Sequence, residues 1–260
     1  MISNPRLQPS LPSLLMTTLR SLLFLLVLAV AVVGYSLAIM LMSRLVEQRS
    51  LLKLAASWSR LLLRSLKVLC GLDYRLAGIE NLPQEPCILM AKHQSAWETI
   101  AVPGIIPRPQ AWVLKQELMR VPFFGSALQA LHPIAIDRKA GRQAMRQLLQ
   151  EGGAQLEQGQ SILVFPEGTR VAVGTAAAFN IGGALLAEKS GAPVVPIAHN
   201  AGVFWKRRGL RKLPGCIDMV IGPPIDPTGR SAKEINALVK AWIDETVDAL
   251  PQAPTPAPAP

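Results

Sequence analysis

Apolar and polar positions divide the chain into three regions. From Leu22 to Met42 the residues are apolar or small and none carries a charge, which is about the length a helix needs to cross the hydrocarbon of a bilayer. Between residues 45 and 69, Leu51, Leu52, Ala55, Trp58, Leu62, Leu66 and Leu69 recur at helical spacing with basic residues between them. That pattern predicts an amphipathic helix, lying in a membrane interface or packed on the body of the protein. Together the two segments read either as a span followed by a surface helix or as a hairpin dipping into one leaflet.

From about Gly71 short apolar runs alternate with helical stretches. Cys87–Met90, Ala111–Leu114, Pro133–Ile136, Ile162–Phe165, Val194–Ala198 and Cys216–Ile221 predict buried strands. Lys139–Gln158 and Asn180–Ser190 predict helices. A last helix carries a Ser231/Glu234 capping box and an apolar stripe through Ile235, Leu238, Val239, Trp242, Ile243, Val247 and Leu250. Strands alternating with helices argue an α/β domain, a mixed, mostly parallel sheet flanked by helices. The expected organisation is an N-terminal membrane-associated helical segment over residues 1–70, an α/β domain over 71–250, and a disordered Pro/Ala-rich tail over 251–260.

Charge sharpens this picture. Lys and Arg number 27 against 17 Asp and Glu in 260 residues, a formal net charge of +10. Such a balance suits nucleic acid, an anionic membrane surface or a phosphorylated substrate. Arg44, Arg49, Lys53, Arg60, Arg64 and Lys67 follow the apolar run, whereas Arg6 and Arg20 precede it, so the rest of the chain is expected in the cytoplasm. Cys70, Cys87 and Cys216 form no CxxC pair and read as buried thiols in a reducing compartment. Three scattered His and three scattered Cys offer no metal-ligand spacing, and GxSxG, P-loop, GxGxxG and HExxH motifs are absent.

Polar residues gather where the strands end, the place where open α/β sheets bind ligands. The first of these strands runs into Lys92, His93, Gln94, Ser95 and Glu98, the next into Lys115, Gln116 and Glu117, the third into Asp137 and Arg138, and the fourth into Glu167, Gly168, Thr169 and Arg170. His93 is the candidate general base, since imidazole titrates close to neutral pH. Five residues on an ideal helix separate two side chains by about 140°. Glu98 therefore meets His93 only if His93 lies in the turn before a helix, with Ser95 as its N-cap. The competing reading makes Glu98 merely the partner of Ser95 in a capping box. Lys115 and Arg170 are candidate phosphate ligands or solvated charges, and His132 and His199 read as structural.

His93-x4-Glu98, the segment from Lys115-Gln116-Glu117-Leu118 to Arg138, Phe165-Pro166-Glu167-Gly168-Thr169-Arg170 and Val194-Val195-Pro196-Ile197 follow in the order of four motifs. The chain thereby resembles the glycerolipid acyltransferase family, and within it the bacterial 1-acyl-sn-glycerol-3-phosphate acyltransferases, over roughly residues 70–225. The resemblance implies direct acyl transfer from acyl-CoA or acyl carrier protein to the sn-2 hydroxyl of lysophosphatidic acid, in phospholipid biosynthesis, at the bacterial inner membrane. His93 would be the base and Glu98 its orienting partner. Lys115, Arg138 and Arg170 would bind the acceptor phosphate, with Glu167, Gly168 and Thr169 completing the substrate-binding set and Glu167 and Gly168 shaping its turn. An apolar tunnel would hold the acyl chain. Membrane lipids are the expected partners; no cofactor, metal or nucleic acid is expected. The family usually carries Asn before this His and Asp as the carboxylate, where this chain has Lys92 and Glu98. Basic or aromatic residues are also common in relatives where this chain has Ala176-Ala177-Ala178 and Asn180. An acyltransferase for another lyso-lipid acceptor and a noncatalytic lipid-binding membrane protein are the alternative readings.

Overall fold

The computed structural model describes residues 11–255. Arg6 and residues 256–260 of the tail lie outside the described residues.

Helix α1 (Leu11–Met42) begins eleven residues before the uncharged run, and α2 (Gln48–Ser65) continues into a π-turn at Leu66–Cys70. Seven strands follow: β1 (Leu72–Ala77), β2 (Ile88–Ala91), β3 (Gln110–Lys115), β4 (Ile134–Ile136), β5 (Ser161–Val164), β6 (Val194–His199) and β7 (Gly215–Ile221). Between and after them come α3 (Trp97–Ile105), α4 (Phe124–Ala130), α5 (Arg142–Glu157), α6 (Gly182–Ser190), α7 (Ala201–Phe204) and α8 (Ala232–Ala249). The strands form one sheet in the order β1-β7-β6-β2-β5-β3-β4, parallel at every pairing except β6 with β7. The carboxyl ends of β2 to β6 therefore share one edge.

Burial on both faces explains why these strands read as unbroken apolar runs rather than as alternating ones. In β2, Leu89 and Ala91 point into a core shared with α1, α2 and α3, where Phe24, Leu62, Trp97 and Ala101 lie buried. Ile88 and Met90 point the opposite way, into a core with Leu148 of α5, Leu186 of α6 and Ile235, Val239 and Ile243 of α8. The period-two alternation of side chains thus divides one strand between two cores. β1 carries Asp73 and Arg75 at a sheet edge and gives no such run. Ser231 and Glu234 make the reciprocal capping box on α8.

The N-terminal helices are part of this body. Ser59 of α2 donates to the Ile100 carbonyl of α3 at 2.5 Å, an approach open only because Gly104 lacks a Cβ, which would sit 2.3 Å from Ser59 Oγ. Contacts with the rest of the protein run along α1. Arg211 Nε donates to Thr18 Oγ1 at 3.0 Å, the Lys212 N–H donates to Ser21 Oγ at 2.9 Å, Phe24 meets Trp205 edge-on, and Ile39 packs with Leu51 and Ala127. The opposite stripe, including Leu15, Leu22, Leu26, Val30 and Leu41, is exposed. By length and composition α1 could cross a membrane.

At the other end, the N–H of Cys216 donates to the Thr255 carbonyl at 3.1 Å and Asn200 Nδ2 to the Pro251 carbonyl at 3.0 Å. Residues 251–255 are thus hydrogen-bonded to β7 and to the residue that follows β6. Cys70, Cys87 and Cys216 are buried free thiols.

Candidate active site

β2 ends at Ala91, and residues 92–96 form a turn before α3 begins. Ser95 falls one residue short of the cap position, which Ala96 occupies without a side-chain bond. His93 therefore stands outside the helix, and the angular separation that would divide it from Glu98 on a regular helix does not apply. Glu98 Oε1 is 2.9 Å from His93 Nδ1 and accepts the backbone N–H groups of Gln94 and Ser95 at 2.8 Å each. The two readings of Glu98 are thus not exclusive, because one oxygen holds the turn and the imidazole together. An ionised carboxylate only accepts, so this network assigns the proton to Nδ1 and leaves Nε2 with its lone pair.

Glu98 is fully buried. Burial alone would raise its pKa, yet the nearby His199 and the hydrogen bond and charge of His93, helped by the Ser95 N–H, bring it below the usual carboxylate value. Its place in the first turn of α3 agrees with that anion in sign.

The adjacent strand β5 supplies the other wall. Phe165 stacks on the His93 ring, with centroids 4.2 Å apart and planes at 20°, and meets Trp112 edge-on. Glu167 turns inward. It forms an ion pair with Lys92 and accepts the His93 backbone N–H at 2.6 Å, with side chains nearly or fully buried on both partners of the pair. Glu167, expected in the substrate-binding set, does not line the cavity that opens beside His93; its carboxylate engages Lys92 and the backbone beneath His93. Gly168 adopts φ +69°, a conformation that side chains disfavour, and a Cβ there would lie 2.9 Å from Asn180 Nδ2 and 3.7 Å from Arg138 Nη1. That close approach brings the turn after β5 to the arginine following β4.

A cavity of about 1120 Å³ opens beside His93. Lys115, Arg138, Gly168, Thr169 and Arg170 line it, so five of the six expected substrate-binding residues face one space with the candidate base. Arg170 Nε is buried without a hydrogen-bonding partner among the described residues. Lys115 is exposed and pairs with Glu117 at 3.0 Å. From this polar end the cavity extends along β3 between α3 and α4, under α1 and α2, where Ile39, Leu52, Trp58, Val113 and Leu128 line it.

His132 is exposed, lies after α4 with φ +50°, and is not among the residues that line the cavity. His199 is fully buried behind Glu98, with Nε2 3.9 Å from Oε2. Sequence reasoning missed this proximity, the Phe165 stack and the Lys92–Glu167 pair, because each joins residues from different strands. The one available signal was position: all follow carboxyl ends of strands. Among the described residues no group of His, Cys, Asp or Glu is placed to hold a metal ion.

A family model described as Acyltransferase matches residues 73–200. A 1-acyl-sn-glycerol-3-phosphate acyltransferase of Pseudomonas aeruginosa is 45% identical over 194 residues, covering 74% of this chain and 75% of the relative. The human 1-acyl-sn-glycerol-3-phosphate acyltransferase alpha is 28% identical over 181 residues, 69% of this chain and 64% of its own. Among solved structures, the 1-acyl-sn-glycerophosphate acyltransferase of Thermotoga maritima superposes with a TM-score of 0.74 at 25% identity, covering 89% of this chain and 94% of that one. With these relatives beside it, the chain belongs to the 1-acyl-sn-glycerol-3-phosphate acyltransferases of the acyltransferase family.

Proposed function

We propose that the protein transfers a fatty acyl group from a thioester, acyl-CoA or acyl carrier protein, to the sn-2 hydroxyl of lysophosphatidic acid, giving phosphatidic acid. The observation that carries this reading is the His93–Glu98 pair, at 2.9 Å, opening on the same cavity as Arg138 and Arg170.

In the proposed mechanism His93 Nε2 takes the hydroxyl proton as the oxygen attacks the thioester carbonyl. The tetrahedral intermediate collapses, the C–S bond breaks, and the leaving thiolate recovers the proton from Nε2. Glu98 holds the imidazole in the productive tautomer and offsets the charge of the imidazolium that forms. Arg170 and Arg138 are the acceptor-phosphate ligands, Arg170 having a buried N–H free for it. Lys115 adds charge at the exposed rim. The apolar stretch between α3 and α4 is the acyl tunnel, its volume sufficient for a ligand of lipid size.

The active edge of the sheet lies beneath α1 and α2. Because α1 touches the body from Thr18 to Ile39, the pair is better suited to lying in one leaflet than to crossing the bilayer. Its exposed apolar stripe supports insertion, with Arg49, Lys53, Arg60 and Arg64 of α2 near anionic headgroups. The proposed location is the inner membrane, with the catalytic domain facing the cytoplasm.

The test is acyl transfer by purified protein in vesicles with lysophosphatidic acid and either donor. Phosphatidic acid from the wild type and none from His93→Ala supports both reaction and base. Product only with another lyso-lipid would reassign the acceptor, and bound lipid without turnover would favour a binding protein.

A further inference from the structure

We propose that His199 is a positioning residue for the base, which fixes the turn carrying His93 and presents an N–H dipole to the open oxygen of Glu98. This inference rests on the acyl-transfer reading above.

Both nitrogens of His199 are engaged. Nδ1 accepts the Ala201 backbone N–H at 3.3 Å, which places the proton on Nε2, and Nε2 donates to the Lys92 carbonyl at 2.9 Å. The second bond ties the carboxyl end of β6 to the residue before His93. On the other side of that residue, the Lys92 side chain is bound by Glu167, which also accepts the His93 N–H. The backbone at His93 is thus held from β5 and from β6 at once.

The electrostatic role follows from the asymmetry of Glu98. Oε1 takes three N–H donors, whereas Oε2 is buried with no hydrogen-bonding partner among the described residues. Its neighbour is His199 Nε2, at 3.9 Å, beyond hydrogen-bond reach but close enough for a dipole to act in a dry site. Burial lowers the pKa of His199 and keeps it neutral. A neutral donor supports the carboxylate without competing for its charge, which remains available to His93. Besides burial, the groups acting on His199 are the Glu98 carboxylate from α3, the Lys92 backbone carbonyl and His93 from the turn after β2, and Glu167 from the turn after β5.

The sign of the effect is fixed. The active form of the His93–Glu98 pair carries one negative charge, and protonation neutralises it. Loss of the dipole leaves the anionic form less stabilised, so the pair takes up its proton at higher pH.

The experiment compares wild type, His199→Leu and His199→Gln in the vesicle assay, over a range of pH, with thermal unfolding alongside. For His199→Leu the expected result is a kcat lower on the order of tenfold, a part of what general acid–base catalysis supplies. KM for both substrates should be unchanged, and the acid limb of kcat/KM should move to higher pH. His199→Gln keeps an N–H donor and should recover most of the rate. Should the leucine variant fail to fold, His199→Asn, which retains an acceptor for Ala201 but shortens the donor's reach, is read in the same way. A folded leucine or asparagine variant with unaltered kcat and an unmoved acid limb would overturn the proposal, as would loss equal in the leucine and glutamine variants. Absence of transfer by the wild type would instead defeat the acyl-transfer reading.

Discussion

His93 Nδ1 and Glu98 Oε1 lie 2.9 Å apart, although their spacing of five residues would divide them on a helix. They meet because the chain turns between them, and the carboxylate itself holds that turn through the N–H groups of Gln94 and Ser95. Glu98→Gln keeps the shape but removes the charge and can present an amide N–H to Nδ1, disturbing the tautomer. Turnover is expected to fall roughly 10²-fold or more, within the span of general acid–base contributions. Steady-state kinetics with circular dichroism as a control for folding checks it; a rate near wild type would leave Glu98 with the turn alone.

Lys92 and Glu167 form a second buried pair beneath the same backbone. Lys92→Met leaves the Glu167 charge without its counter-ion, which costs about 3–5 kcal/mol for a buried pair. The double variant Lys92→Met/Glu167→Gln removes both charges and should recover a large part of that loss. Urea unfolding of the three variants is the measurement, and additive losses would show that the pair does not couple.

The proposed acyl tunnel can be shortened from its α4 wall. Leu128→Trp adds bulk to the cavity lining between α3 and α4. The ratio of kcat/KM for long over short acyl donors is expected to drop about tenfold, the scale on which a few methylenes are discriminated. An unchanged ratio would place the acyl chain elsewhere.

Lys212 is buried between Phe24 and Trp205, and burial, opposed by the nearby Cys70, lowers its pKa to about 8 from 10.5. The unfolded chain therefore binds the proton more tightly, and the protein should gain stability as pH rises from about 8 towards 10.5. Lys212→Met should remove that part of the slope in thermal unfolding between those values. Identical slopes in both proteins would trace the dependence to other groups.

Strands buried on both faces were the most legible elements, because β2, β5 and β6 leave apolar runs that few other structures need. The edge strand β1 escaped notice, since Leu72-Asp73-Tyr74-Arg75 carries no such run and is defined by its pairing with β7. Ser231 announced α8 through a local bond, and local bonds are what sequence spacing encodes. The site was legible as a set of strand ends and motif residues, but not in its inward-facing half. That Glu167 binds Lys92, and that His199 stands behind Glu98, depends on which strands lie side by side, and the β6-β2-β5 order is not the order of the chain.

Helix α1 lies along the body of the protein with its outer stripe free, and its Tyr35 and Ile39 line the cavity that holds His93. Seated in a leaflet as proposed, the enzyme would sample its acceptor in two dimensions. Its rate should then follow the mole fraction of lysolipid in the surface rather than its bulk molarity, so that inert lipid or detergent slows turnover by dilution alone. Membrane composition becomes a kinetic variable: the same number of substrate molecules gives a faster reaction in a smaller film.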